Sequence, residues 1–361
     1  MNRPTSLYLD LVRPMAALVV MLSHVGHRAV TAGQLQSLTY AGAEAVDVFF
    51  VLSGFVIAHV CATREADWRD YVVSRATRIY SVALPALLLT AAVDAIGFAH
   101  DRSIYDAGYQ AFTPGLVLRS VLFLGEQWNS HRFPGNDGPY WSLGFEVWYY
   151  VAFGVFTFAP RGWRWPMAAA VLAFIGPKVT LLFPIWLFGV VAYRLCESGR
   201  VGPRLGWLLL AAPIVAFIVY QTFTDPHQPQ FANLSWTADR LEGAARDYLI
   251  AALFATHVVG VSAVSREFAP WLERSAGAIR WIAGATFSIY LVHMPIMHLL
   301  VVVSPWPKGS PMTLWLILGA TPLVCLVFAE LFERRKAIWR NGFSLALHAA
   351  ETPLAALRRS G

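Results

Sequence analysis

The chain has 361 residues, 57% of them hydrophobic and 14% charged, with a formal net charge of +6. A soluble domain carries about 25% charged residues, so this chain has too few charges to cover a soluble globule of its length. Its arginines lie in short clusters between apolar runs and form no basic face, which argues against nucleic acid as a partner and for membrane topology signals.

The expected fold class is all-α, a polytopic helical bundle in the lipid bilayer with about ten transmembrane helices. In chain order the apolar runs fall at 12–30, 42–61, 79–98, 138–158, 166–179, 181–195, 207–223, 247–264, 281–303 and 312–332. The fifth and sixth are short and divided near Pro177 and Pro184. Run 115–125 is apolar but too short to cross, so a re-entrant or surface helix is expected there. The first run follows Asp10 and Arg13 and has no small-residue cleavage site, so it reads as a retained helix and not as a signal peptide. With the N-terminus in the cytoplasm, most Lys and Arg residues fall in cytoplasmic connections, which favours an N-in, C-in arrangement. Residues 1–340 read as one transmembrane domain and 341–361 as a short cytoplasmic tail. The long outer connections, 99–137 and 224–246, are of a length that usually carries function. Cys61, Cys196 and Cys325 are too few and too dispersed for a disulfide framework or a metal site. No metal and no bound cofactor is expected.

Ionisable side chains inside spans are costly and mark function. Pro14 suits the first position of a helix, which places Arg13 at the cytoplasmic boundary. His24, eleven residues further, then lies about 16 Å deeper. The second span runs back inward and carries Glu44 and Asp47 at a comparable depth. A carboxylate there would fix the tautomer of His24 and raise its basicity, as a general base requires; Asp47 is the deeper of the two. The fourth span opens with Trp141-Ser142-Leu143-Gly144-Phe145-Glu146, in which Ser142 and Glu146 share a helix face. The ninth carries Ser288, Tyr290 and His293, with His298 further out. Separate helices thus bring His24, Asp47, Glu146, Tyr290 and His293 to one depth, the pattern of a polar cavity. At the cytoplasmic end, Arg75 and Arg78 present two guanidiniums suited to phosphate, although positive-inside anchors look the same.

Five segments together resemble the membrane-bound acyltransferase 3 family. Leu9-Asp10-Leu11-Val12-Arg13 with His24 is similar to the family's opening, including its Arg-x10-His spacing. Val46-Asp47-Val48-Phe49-Phe50-Val51-Leu52-Ser53-Gly54-Phe55 is similar to its second helix, and Arg75-x-x-Arg78 to its first cytoplasmic loop. Trp141-Ser142-Leu143-x-x-Glu146 and Ser288-Ile289-Tyr290-Leu291-Val292-His293 complete the series. The chain departs from the family pattern at Leu11, Pro14 and Val147, and the last weakens any mechanism that needs a carboxylate pair.

The resemblance implies an integral-membrane O-acyltransferase of the bacterial inner membrane, moving an acyl group, usually acetyl, from acetyl-CoA or another acyl-CoA to a saccharide hydroxyl. Acetyl-CoA is then a donor substrate, held on the cytoplasmic side by Arg13, Arg75 and Arg78. His24 is expected as general base oriented by Asp47, with Tyr290 or His293 donating to the oxyanion and Glu146 in a second proton-transfer or acceptor role. Trp141 and Ser142 are expected at the acceptor. A covalent acyl-histidine relay is open beside direct transfer. Many relatives carry an esterase-like domain after the bundle; none is expected here, so a second transfer would fall to a glycan-assembly partner. The alternative is a proton-coupled transporter using the same His, Asp and Glu set. The absence of an inverted repeat with paired broken helices speaks against it.

Overall fold

A computed structural model describes residues 1–105, 109–223 and 238–357. The helices are α1 (Arg3–Val25), α2 (Arg28–Thr31), α3 (Ala41–Thr63), α4 (Trp68–His100), α5 (Pro114–Val121), α6 (Leu143–Phe158) and α7 (Arg164–Ile175). They continue with α8 (Pro177–Ser198), α9 (Pro203–Phe223), α10 (Ala238–Arg274), α11 (Ala276–Ala283), α12 (Thr286–Val303), α13 (Pro311–Phe328) and α14 (Lys336–Leu357). Among the described residues, eight helical segments are long and apolar enough to cross a membrane. The expected spans 138–158 and 166–179 correspond to α6 and α7, with 16 and 12 residues. The short run 115–125 gives the eight-residue helix α5.

Local chemistry sets most boundaries, and two of them differ from expectation. Helix α1 starts at Arg3, well before Pro14, because the Asn2 side chain accepts the Thr5 amide at 2.9 Å and Pro4 occupies the first turn. Pro14 is therefore inside the helix. Helix α4 likewise starts at Trp68, where Asp67 accepts the amides of Arg69 and Asp70, so Arg75 and Arg78 lie in its second and third turns. The break between α7 and α8 falls at Gly176, whose φ of +83° favours glycine, with Pro177 opening the next helix. Pro184 stays within α8.

The centre of the bundle is aromatic and close-packed. Trp186 and Tyr149 are fully buried, and Trp186 packs on Phe153 and Phe183 with centroid distances of 5.3 and 5.9 Å. Helices α3 and α8 approach to backbone contact: a Cβ at Gly54 would lie 2.0 Å from the Trp186 carbonyl oxygen, and one at Gly189 would lie 1.9 Å from that of Val51. Helices α1, α3, α4 and α12 form the inner group, with α1 against α3 and α12, and α12 against α4. In contrast, α9 leaves Leu208, Ile214, Ile218 and Phe223 exposed, as a lipid-facing helix does.

The outer connection after α4 folds back over the bundle. Gln110 and Gly135 form an isolated antiparallel bridge. The Asn136 amide donates to Asp94 of α4 at 2.9 Å, and its side chain meets Nδ1 of His298 on α12. At its other end, Glu126 pairs with Lys178 and with His131. This strap fixes the start of α6, which carries Ser142 and Glu146 toward the inner group.

Candidate active site

Hydrogen-bond partners define the protonation pattern of two histidines at the heart of the bundle. Nδ1 of His293 lies 2.8 Å from the Ile289 carbonyl, and Nδ1 of His24 lies 2.9 Å from the Val20 carbonyl. A carbonyl oxygen only accepts, so both Nδ1 atoms carry hydrogen. Nε2 of His293 lies 2.9 Å from Nδ1 of His24, and it accepts from that same N–H. The chain of donors leaves Nε2 of His24 with its lone pair free among the described residues. His293 is fully buried, whereas His24, in the last turn of α1, is half-buried. His27 closes on the other edge of His24, with ring centroids 4.8 Å apart.

Asp47 does not orient His24. Its carboxyl group instead hydrogen-bonds to that of Asp247 on α10, and a bond between two carboxyl groups requires one proton between them. Glu44 nearby pairs with Arg246 and accepts from Gln221. These residues join α3 to α9 and α10, on a face of α3 away from α12. The expectation failed because depth along an axis does not say toward which neighbour a side chain points. The side chain that meets the His24 ring by hydrogen bond is that of His293.

One turn of α12 below His293, the Tyr290 hydroxyl donates to Ser142 at 2.7 Å, and Ser142 reaches the Pro139 carbonyl. Phe49 packs edge-on against the Tyr290 ring at 5.4 Å. Tyr290, Ser142 and Phe49 form one end of a cavity of about 120 Å³. Glu146 lines its wall and accepts from Ser53 at 2.6 Å and from Tyr150. Toward the end where α1 and α4 begin, the cavity is lined by Arg13, Arg78 and Lys336. Trp141 is half-buried and packs edge-on against Phe145 at 5.1 Å. It is not among the residues lining this cavity.

Arg75 and Arg78 part company. Arg78 bonds to Tyr150 and faces the cavity. Arg75 is buried in an ion pair with Glu65, rests 5.1 Å from the Tyr71 ring centroid and faces a separate apolar groove of about 500 Å³. Its charge is already neutralised by Glu65, so the two guanidiniums expected to act as a pair face different spaces. Of the expected site residues, the cavity and the histidine pair above it gather His24, His293, Tyr290, Ser142, Glu146, Arg13 and Arg78. Asp47, Arg75 and Trp141 lie elsewhere. Trp128 packs on the Gly176 corner, and Trp236 lies outside the described residues.

Four site residues were not anticipated. Tyr150 stands four residues after Glu146 and could have been read from that spacing. Ser53 sits within the second-helix motif. Glu333 and Lys336 look like topology signals in the sequence, but both line the cavity, and a short π-helical stretch, Ala329–Glu333, turns Glu333 inward. Glu333 is buried and accepts the amides of Phe287 and Ser288 and the Ser288 hydroxyl, capping α12. Among the described residues, no group of three or more His, Cys, Asp or Glu could hold a metal ion.

An all-α membrane bundle with a hydrogen-bonded histidine pair above a cation-lined cavity is the class the fold and site define. The chain belongs to the acyltransferase 3 family: the family's acyltransferase-domain model matches residues 6–330. It is similar to the exopolysaccharide production protein ExoZ of Rhizobium meliloti (strain 1021), 30% identical over 195 residues, or 49% of this chain and 58% of that one. It is also similar to an O-acetyl transferase of Shigella phage Sf6, 29% identical over 157 residues, covering 40% of this chain and 44% of the relative. The chain thus spans about half the length of these curated relatives. No solved structure matches it.

Proposed function

We propose that this protein is a multi-pass membrane O-acyltransferase that moves an acetyl group from acetyl-CoA to a hydroxyl of a saccharide, as part of surface-polysaccharide modification in the inner membrane. The observation that carries the reading is the free Nε2 of His24, held by the His293 pair one helical turn above a cavity with cations at its far end. In the proposed step, Nε2 of His24 takes the proton of the acceptor hydroxyl as its oxygen bonds to the thioester carbonyl carbon. The C–S bond then breaks, and the proton passes from His24 to the departing thiolate, giving ester and free CoA. His293 steadies the imidazolium through its Nε2, the part expected earlier of Asp47. Tyr290 is suited to donate to the oxyanion. Arg13 and Arg78 face the donor's phosphates, and Ser142 and Glu146 line the path of the acyl group.

The names of the two relatives, one concerned with exopolysaccharide production and one an O-acetyl transferase, support the class of acceptor and of acyl group. The test is turnover of radiolabelled acetyl-CoA by purified, reconstituted protein with crude glycan and lipid extracts as acceptors. His24→Ala is expected to abolish label transfer while leaving a folded protein. Retained transfer in that variant removes His24 as base, and no turnover by the wild-type protein with any extract removes the acyl-CoA reading.

A further inference from the structure

Arg13 comes from α1, Arg78 from α4 and Lys336 from the first turn of α14. Lys336 lies beyond residues 6–330, the span of the family match. Helix α14 packs along α4, with Phe343 against Tyr80 at 5.7 Å, and this docking brings Lys336 to the cavity end of α4. Arg13 is partly neutralised by Asp10 at 3.3 Å, and Arg78 is tied to Tyr150. Lys336 differs from both: no hydrogen-bond partner holds its ammonium group among the described residues, and its side chain is exposed. The nearest carboxylate, Glu333, uses both of its oxygens on the start of α12. The cavity end therefore carries more positive than negative charge, and its least engaged cation stands at the rim.

We infer that Lys336 is a donor-binding residue that completes a three-cation site with Arg13 and Arg78, recognising the phosphates of a nucleotide-bearing thioester. The inference rests on the acyl-CoA reading above and deepens it. Three cations from three helices suit a ligand with several separated phosphates, because an ammonium on a flexible stem reaches a phosphate outside a guanidinium's fixed plane. The first turn of α14 then takes part in donor recognition. A phospholipid headgroup offers the same phosphate chemistry, so the test has to separate the two sources.

The experiment uses full-length protein in neutral detergent. Lys336→Gln is compared with wild type and Lys336→Arg, using acetyl-CoA and S-acetylpantetheine, which lacks all the nucleotide phosphates. Loss of one charge-assisted contact raises the KM for acetyl-CoA about tenfold, with kcat within about twofold, and leaves the KM for S-acetylpantetheine unchanged. Lys336→Arg recovers most of the loss. An unchanged KM for acetyl-CoA, or an equal rise for both donors, overturns the inference. Binding of adenosine 3′,5′-bisphosphate, the nucleotide end of the donor, is measured in parallel by calorimetry and does not depend on turnover. A tenfold weaker Kd in Lys336→Gln supports the site even where no acyl transfer is seen, an outcome in which only the acyl-CoA reading falls. An equal Kd in both proteins, or displacement of the nucleotide by phosphatidylglycerol with no effect of the substitution, overturns it.

Discussion

Replacing His293 by Phe separates the two histidines' roles. The substitution keeps a ring of similar size on α12 and removes the Nε2 acceptor that lies 2.9 Å from Nδ1 of His24. The Val20 carbonyl, also 2.9 Å from that nitrogen, still holds the Nδ1–H tautomer, so Nε2 of His24 stays available as a base. What disappears is the hydrogen bond that strengthens as His24 becomes an imidazolium. A hydrogen bond to a charged group contributes about 1.5–3 kcal/mol, which corresponds to a fall in kcat of about 10- to 150-fold. The assay is steady-state transfer from labelled acetyl-CoA at saturating acceptor, with protein folding checked by size-exclusion chromatography. KM for acetyl-CoA should stay near the wild-type value, since His293 is not among the residues that line the cavity. A kcat within about twofold of wild type refutes the reasoning, and so does a change confined to KM.

Arg75→Gln is expected to act on stability and not on the donor. It strands Glu65 in a buried ion pair, a loss of about 3–5 kcal/mol seen as a lowered thermal midpoint, while KM for acetyl-CoA in folded protein stays the same; a raised KM would return Arg75 to the donor site. Asp137, in the outer strap, is fully buried with neither carboxylate oxygen hydrogen-bonded among the described residues and with Asp94 nearby, so burial holds its carboxyl well above the usual 3.8. The folded protein then keeps a proton that the unfolded chain has released, and stability contributed by this site falls as pH rises above about 4. Asp137→Asn should therefore gain thermal stability relative to wild type as pH rises above about 4, and a difference that does not change with pH would refute the assignment.

Much of this protein follows from its residue order alone. Low charge and long apolar runs dictate a helical membrane bundle, because only helices satisfy their own backbone groups within lipid. The positions of Gly176 and Pro177 mark a break, and the spacing from Arg13 to His24 puts about three helical turns between them, since helical rise is fixed. Separation along a helix axis was therefore legible. Direction was not: the azimuth of a side chain about its helix matters only against neighbours that the sequence does not order. Asp47 turned to Asp247, Arg75 to Glu65, and His24 to His293, each choosing a partner from another helix. Glu333 and Lys336 read as flanking charges until a π-helical turn and the docking of α14 on α4 brought them to the cavity. Which polar groups meet is a property of helix packing, where close approaches such as Gly54 to Trp186 and Gly189 to Val51 fix how each helix is rotated.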